Sequence, residues 1–310
     1  MPFLSLRRPS PEIGSGAAAA SLTRTTTTAS ATAISAAVSG RCTYAGCETG
    51  WMQRRRNRAA PVFEGGWTCS AACSVGCLQA AIRRELMGRQ SSCATHRHRI
   101  PLGLLMMEQG WITQTQLRQA LAAQRASGGG RLGEWLVRQR AVHASQVTRA
   151  LAMQWNCPVL PAATHDPAAV TAVMPRLFVD AFGALPLRLA GDNLLYLGFE
   201  QRPDPVLSLA LTRMLEIRVE YGIVPESEFR PALREMVRAE FPPVELVEAV
   251  NESAAARAMA NALEKAHPAA SRLVRVHNLL WLRFWRRSAH SSLSRQDHVS
   301  DLICSIGSPW

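Results

Sequence analysis

Apolar residues recur at helical spacing in the middle of the chain. Residues 117–124 carry Leu, Ala and Leu at positions i, i+3 and i+4 and Gln at i+7, which places all four on one face of a helix. Residues 147–154 repeat this arrangement with Val, Ala, Leu and Gln. The pattern predicts two equivalent amphipathic helices, each ending in glutamine.

The residues before each long helix predict how it begins. Thr113 is followed three residues later by Gln116, the spacing of a capping box, and Gly110 stands where a preceding short helix needs a left-handed residue. Arg140 takes the equivalent position in the second copy, at an expected cost of about 1 kcal/mol. Each copy is therefore predicted to be helix, turn and helix, with the flexible joint RASGGG at residues 125–130 between them.

After residue 160 the pattern changes to short helices that alternate with short strands. The predicted helices lie at residues 173–182, 205–215 and 226–240, and the predicted strands at 184–189, 194–199 and 217–222. Further along we predict an Ala-rich helix near residues 244–266, a hairpin at 273–287 that turns near His277 and Asn278, and a tail over about the last twenty residues.

These elements predict an α+β protein. A tandem helix-turn-helix repeat module is expected to pack on a small α/β subdomain, with a four-cysteine zinc-knuckle-like arm at the N-terminal side. The predicted segments are a disordered low-complexity tail (1–40), a Cys-rich module (41–98), the duplicated helical module (99–163), the α+β subdomain (164–240) and a C-terminal helix and β-hairpin extension with a tail (241–310).

Composition limits the class of protein. With 310 residues, 47% of them apolar, the chain can bury one or two cores. Its net charge of +12 would suit an anionic partner, but the arginines are scattered along the chain, which weakens the inference of a nucleic-acid partner. No apolar run reaches the roughly 18–20 residues that span a bilayer, and residues 1–40 lack the apolar stretch of a signal peptide. We therefore expect a cytoplasmic protein with reduced cysteines.

The cysteines predict a metal site. Cys42 and Cys47 form one close pair and Cys69 and Cys73 another, and two thiolate pairs on tight turns suit tetrahedral zinc in a structural role. The spacings depart from paired CxxC motifs, and Cys77 and Cys93 are spare candidates. Reduced cysteines without a metal are the alternative.

A run of arginines lies between the two cysteine pairs, at Arg54, Arg55, Arg56 and Arg58. A solvated basic loop is favoured over a dedicated nucleic-acid site, because only Trp51 and Trp67 accompany the run as aromatic residues. The sequence also lacks the P-loop GxxxxGK[ST], GxSxG and HExxH, and Lys265 has no glycine near it, so we expect no enzymatic activity.

The two helical copies match each other at a constant offset. The matched pairs are Leu102/Leu132, Gly103/Gly133, Leu105/Trp135, Met106/Leu136, Ile112/Val142, Leu117/Val147, Ala120/Ala150, Leu121/Leu151 and Gln124/Gln154. In these motifs the chain resembles the N-terminal domain of type II secretion and type IV pilus assembly ATPases, the MshEN domain, over about residues 99–239. Members of that family carry two tandem RLGxxL…LxxxLxxQ motifs that together bind one cyclic di-GMP.

The resemblance implies a set of ligand-binding residues. They are Leu102, Gly103, Leu117, Leu121 and Gln124 for one half of the dinucleotide and Arg131, Leu132, Gly133, Val147, Leu151 and Gln154 for the other. In such a site arginine pairs with guanine or phosphate, glycine admits the ligand to the backbone, leucine packs on the purine and glutamine contacts a base edge.

Two departures from the family pattern matter. Pro101 stands where the first motif has arginine, with Arg99 nearby as an imperfect substitute, and Arg140 replaces the turn glycine of the second motif. Loss of one charge-assisted contact would cost about 1.5–3 kcal/mol of binding.

The expected function is that of a regulatory or adaptor protein that binds cyclic di-GMP and acts on secretion or pilus machinery. One alternative is a protein-docking scaffold without a nucleotide ligand. A second alternative is a nucleic-acid-binding regulator that uses the arginine-rich loop of the zinc arm.

Overall fold

The computed structural model describes residues 42–48, 61–88, 99–163, 165–191, 193–286 and 298–307, all within one compact unit that spans residues 36–310. The described helices are α1 (Ala71–Met87), α2 (Leu102–Glu108), α3 (Gln114–Ala126), α4 (Leu132–Arg138), α5 (Ala144–Trp155), α6 (Pro167–Val170), α7 (Arg176–Phe182), α8 (Pro205–Leu215), α9 (Glu226–Arg238) and α10 (Glu252–Ala266). The described strands are β1 (Val62–Phe63), β2 (Gly66–Trp67), β3 (Ala184–Ala190), β4 (Leu194–Phe199), β5 (Arg218–Ile223), β6 (Val244–Ala249), β7 (Ala270–Val276), β8 (Leu279–Trp285) and β9 (Val299–Ile306). The fold therefore mixes helices and sheets, in agreement with the α+β prediction at this level.

Helices α2 to α5, here called the helical module, form two short-long pairs. Thr113 caps α3 through a capping box with Gln116, and the backbone N–H of His143 donates to the Gln146 side chain at the start of α5. Gly110 has φ +67° and Arg140 has φ +57°, so both inner turns use the left-handed region. The predicted start of α3 at Thr113 and the predicted left-handed conformation at Arg140 are confirmed.

A three-stranded sheet follows, in the order β3-β4-β5. Strands β3 and β4 are antiparallel, and β5 runs parallel to β4 after the crossover through α8. The strands and α8 lie close to their predicted positions, whereas the predicted helix at 173–182 begins only at α7, because Pro175 is its N-cap. The segment after α5 joins this sheet through backbone hydrogen bonds. The N–H of Leu160 donates to the Ile223 carbonyl, and the N–H of Ile223 donates to the Pro158 carbonyl.

The C-terminal third differs from the prediction. Residues 244–249 form the strand β6, and the helix α10 begins only after Asn251, whose side chain accepts from the Ala254 N–H. The predicted tail contains the strand β9, which pairs with both β6 and β8 in a four-stranded sheet of order β6-β9-β8-β7. The hairpin turn at His277 and Asn278 is confirmed.

The four-stranded sheet separates two cores. One face, with Val274 and Trp281, packs toward the three-stranded sheet and helices α6 to α9. The other face, with Leu273 and Leu282, packs on α1 and α10. A third, smaller core lies inside the helical module. Among the described residues, no helix is both long and apolar enough to cross a bilayer.

Candidate functional site

The two helix pairs are held together by reciprocal contacts. Helix α3 packs on α4, and α5 packs on α2, so each long helix covers the short helix of the other pair. The starts of the short helices approach closely at two glycines. A Cβ at Gly103 would lie 2.6 Å from Leu117 and 3.2 Å from Leu132, and one at Gly133 would lie 2.7 Å from Val147 and 3.8 Å from Leu102. Only glycine therefore fits without a shift of the neighbouring side chains.

The two glutamines also make matching contacts across the pairs. The Nε2 of Gln124 donates to the Gly130 carbonyl at 2.5 Å, and that of Gln154 donates to the Ile100 carbonyl at 2.8 Å. Each acceptor immediately precedes the residue at the motif arginine position, Arg131 in one copy and Pro101 in the other. The glutamines thus hold the backbone directly before positions 131 and 101.

A groove of about 700 Å³ lies on the side of the second pair. This volume is within the range of roughly 300–1,000 Å³ found for small-molecule sites. Its walls are formed by α4, α5, the residues after β4 and the first turn of α9. The lining residues are Leu102, Arg131, Leu132, Gly133, Glu134, Val137, Arg138, Ala144, Ser145, Val147, Thr148, Leu151, Glu200, Gln201, Pro225, Glu226, Ser227 and Glu228.

Arg131 joins the helical module to the three-stranded sheet through an ion-pair cluster. Its guanidinium pairs with Glu134 in its own helix, with Glu200 after β4 at 3.1 Å and with Glu226 at the start of α9 at 3.7 Å. Arg230 pairs with the same Glu200 and Glu226. Burial opposes the charge of Arg131, but the hydrogen bonds from Glu134 and Glu200 outweigh it and raise its pKa above the usual value.

The groove is lined by both apolar and charged residues. Four carboxylates and two guanidinium groups line it, so the carboxylates exceed the guanidinium groups by two formal charges. Arg131 is therefore already paired with carboxylates in this groove. The sequence could not reveal these pairs, because Glu200 and Glu226 are distant from Arg131 along the chain and belong to no motif.

The structure brings the predicted ligand residues together only in part. Six of them line the groove: Leu102, Arg131, Leu132, Gly133, Val147 and Leu151. Gly103 and Leu117 are buried in the core of the helical module, and Leu121 is partly buried against it. The two glutamines lie at the ends of α3 and α5, outside the groove lining.

Arg99, the imperfect substitute for the missing motif arginine, lies beside Trp155. Its guanidinium stacks on the indole ring at 3.1 Å from the centroid, and Arg202 lies 5.8 Å from the same ring. Such contacts are favourable cation–π interactions. Trp155 directly follows Gln154. The end of α5 therefore contacts the segment before α2 twice, through Gln154 to the Ile100 carbonyl and through Trp155 to the Arg99 guanidinium. Sequence reasoning did not identify Trp155.

The four predicted metal ligands form a second cluster. The sulfur atoms of Cys42, Cys47, Cys69 and Cys73 all lie within 4.8 Å of one another. Burial raises the pKa of the Cys73 thiol to about 12. The spare candidate Cys77 lies one turn further along α1, outside this set, whereas Cys93 and the arginines 54–58 fall outside the described residues.

Comparison with known proteins gives partial matches. No family model matches the chain. Over 138 residues it is 36% identical to bacteriophage adsorption protein B of Escherichia coli K12 and, equally, to bacteriophage N4 adsorption protein B of Escherichia coli O157:H7, and the alignment covers 43% of this chain but only 18% of either relative. The chain thus spans less than a fifth of these curated relatives.

Two solved structures also align with the chain. The structure of MshE with cdg is 29% identical, with a TM-score of 0.37, and covers 44% of this chain and 99% of its own. The structure of the N-terminal domain of XpsE is 19% identical, with a TM-score of 0.25, and covers 47% of this chain and 97% of its own. Both align along nearly their whole length, at TM-scores too low to establish a common fold.

Proposed function

We propose that this chain is a non-enzymatic regulatory or adaptor protein whose helical module binds cyclic di-GMP. The observation that carries the proposal is the reciprocity of the two helix pairs, in which Gly103 and Gly133 and the two terminal glutamines make matching contacts. Cyclic di-GMP consists of two identical halves, and two matching half-sites suit such a ligand. The MshEN-type motifs in both pairs, set out above, point to the same class of ligand.

The side chains of the module supply the required chemistry. Leu102, Leu132 and Leu151 are partly exposed and offer apolar contacts to purine faces. Arg131 and Arg99 supply one guanidinium for each half-site, and arginine suits both guanine edges and phosphates. The glutamines act indirectly in this proposal, because their amides order the segments that carry the arginines.

Binding at Arg131 would also alter how the module is attached to the rest of the chain. A phosphate that pairs with Arg131 competes with Glu200 and Glu226, which lie on the three-stranded sheet side of the groove. The exchange would weaken the contact between α4 and the first turn of α9. In this proposal the ligand signal is the release of that contact, and the partner that reads it belongs to secretion or pilus machinery.

Calorimetry with cyclic di-GMP tests the proposal on the full chain. We expect saturable binding, weakened by about 10-fold to 150-fold in Arg131→Ala through loss of a charge-assisted contact of about 1.5–3 kcal/mol. Glu200→Gln is expected to bind more tightly than the parent protein, because one competing carboxylate has been neutralised. Arg118→Ala is the matched control, since Arg118 is an exposed arginine of α3 outside the groove lining.

The result against the proposal is equally specific. If a folded parent protein gives no heat at high micromolar cyclic di-GMP, the nucleotide proposal is wrong. If Arg131→Ala and Arg118→Ala bind equally well, the ligand lies elsewhere. Hydrogen exchange adds a readout of the release, because the first turn of α9 should exchange faster when the ligand is bound.

A second candidate function is docking of a protein partner without a nucleotide. The specific observation in its favour is the excess of carboxylates over guanidinium groups around the groove. A groove lined by apolar and acidic side chains suits a helical segment that carries leucines and a few basic residues. This candidate predicts binding of a basic amphipathic peptide that weakens in Glu200→Gln, which is opposite to the change expected for cyclic di-GMP.

A further inference from the structure

The cysteine cluster is assembled from three separate segments. Cys42 and Cys47 lie in the turn of residues 42–48, Cys69 lies between β2 and α1, and Cys73 lies in the first turn of α1. The sulfur of Cys69 is 3.5 Å from that of Cys47 and 3.6 Å from that of Cys73. A disulfide needs about 2.05 Å between sulfurs. Four sulfurs at about 2.3 Å from a tetrahedral zinc ion lie about 3.8 Å apart, which is close to the observed spacing.

The segment that carries the first cysteine pair is seated on the rest of the cluster by specific contacts. Thr43 donates to the Trp67 carbonyl through both its backbone N–H and its hydroxyl, each at 3.0 Å. Two glycines leave room for this segment, because a Cβ at Gly66 would overlap the Thr43 side chain and one at Gly76 would overlap the ring of Tyr44. The position of the first cysteine pair is therefore held by packing and hydrogen bonds as well as by the contacts between sulfur atoms.

The donor set decides which kind of metal site this is. Four thiolates complete a tetrahedral shell and leave no coordination position for a substrate or an activated water, so the site is structural. Soft sulfur donors in this geometry favour zinc over magnesium or calcium, which prefer oxygen ligands. Cys73 is buried and the other three are partly buried, which limits access of solvent to the ion.

The ligands also connect the cluster to one of the two large cores. Cys73 belongs to α1, whose Leu78 and Ile82 are fully buried against α10 and the four-stranded sheet. Further along α1, Glu85 forms a bidentate pair with Arg213 of α8 at 2.5 and 2.9 Å. Metal at the start of α1 thus fixes residues 42–48 to a helix that is already anchored along its length.

We propose that Cys42, Cys47, Cys69 and Cys73 bind one structural zinc ion that fastens residues 42–48 to β2 and the start of α1. The proposal is independent of cyclic di-GMP. The anchoring of α1 by its own core predicts that loss of zinc frees residues 42–48 and the first turn of α1 while the remainder of the helix stays folded.

Metal analysis of protein purified without chelator tests the proposal. We expect one zinc per chain by mass spectrometry of the metal content. Cobalt substitution should give strong sulfur-to-cobalt charge-transfer bands together with the visible bands of a tetrahedral ion. Cys42→Ser is the main variant, because its side chain lies outside the helices, and it should lower metal affinity by at least tenfold. Cys69→Ser provides a second variant should Cys42→Ser fail to fold.

Two other cysteines serve as matched controls. Cys77→Ser and Cys157→Ser should retain one zinc and the cobalt spectrum of the parent protein. Loss of metal in Cys77→Ser would overturn the ligand set. A folded, reduced parent protein with less than about a tenth of an equivalent of metal after incubation with zinc would overturn the site itself. Hydrogen exchange should show protection of residues 42–48 that is lost on chelation, while residues 78–86 remain protected.

Discussion

A charged side chain in the four-stranded sheet gives the sharpest prediction for stability. Arg283 in β8 and Asp301 in β9 are cross-strand partners, and both side chains are fully buried. The guanidinium donates to the two carboxylate oxygens at 2.7 and 2.8 Å. It also donates to the carbonyls of Ala172 and Val173 at 2.8 and 2.9 Å, which ties the sheet to the segment between α6 and α7.

The replacement Arg283→Met removes all four hydrogen bonds and the charge. It leaves a buried carboxylate whose remaining side-chain partner is the indole N–H of Trp281 at 2.7 Å, and two carbonyls that lose their donor. Breaking a buried ion pair from one side costs about 3–5 kcal/mol. Since a domain is stable by only about 5–15 kcal/mol, this single change should remove a large fraction of the stability.

Urea unfolding followed by circular dichroism measures the effect as a change in the free energy of unfolding. The double variant Arg283→Met with Asp301→Asn provides the control, because asparagine keeps an acceptor for Trp281 without a charge. It should be more stable than Arg283→Met alone, since the isolated buried charge is the main cost. A loss below about 1 kcal/mol in Arg283→Met, or additive losses in the double variant, would refute this reasoning.

Two further predictions concern a turn and an ion pair. Arg140→Gly should raise the thermal midpoint by a few degrees, because a left-handed arginine at φ +57° costs about 1 kcal/mol, and Gly110→Ala at the matching turn should lower it. Asp204 is the partly buried N-cap of α8; burial opposes its ionisation, but hydrogen bonds from His277 and the backbone N–H groups lower its pKa. Its contribution to stability is therefore present above the unfolded pKa of about 3.9 and lost as the pH falls through the lower folded value. Asp204→Asn should reduce the acid sensitivity of urea unfolding below about pH 4, and an unchanged pH profile would contradict this assignment.

The sequence predicted the elements that depend on local interactions. The capping box at Thr113, the left-handed turn at Gly110 and the strands β3 and β4 each follow from residues close together in the chain. The cluster of four cysteines was also predicted, because two pairs of cysteines at short spacing indicate a shared metal site.

The elements that were predicted wrongly depend on distant partners. Strand β6 was predicted as part of the following helix and β9 as a tail, yet β9 lies between β6 and β8 in the sheet. Nothing near residue 299 indicates this pairing, because both partner strands lie elsewhere in the chain. For the same reason the pairing of Arg283 with Asp301, 18 positions later in the chain, is not indicated by the residues next to either of them.

Only some of the residues around the groove could be named from the sequence. The resemblance to the MshEN domain implies Arg131, Leu102, Leu132 and Leu151 as ligand residues, and in the structure these four line one groove. The carboxylate partners of Arg131, Glu200 and Glu226, could not be foreseen, because the contact depends on how α4 meets the ends of β4 and the start of α9. The amides of the two predicted ligand glutamines donate to backbone carbonyls, a contact that the motif alone does not indicate.

The matching glutamine contacts have a consequence for how a duplicated segment can evolve. Gln124 holds the backbone that leads into the second pair, and Gln154 holds the backbone that leads into the first. A gene with only one copy would encode a single helix pair. In that pair the glutamine would lack its backbone acceptor and the short helix would lack the long helix that covers it. Evolutionary intermediates with one copy should therefore be selected against unless two chains dimerise. The two copies are therefore expected to be inherited together.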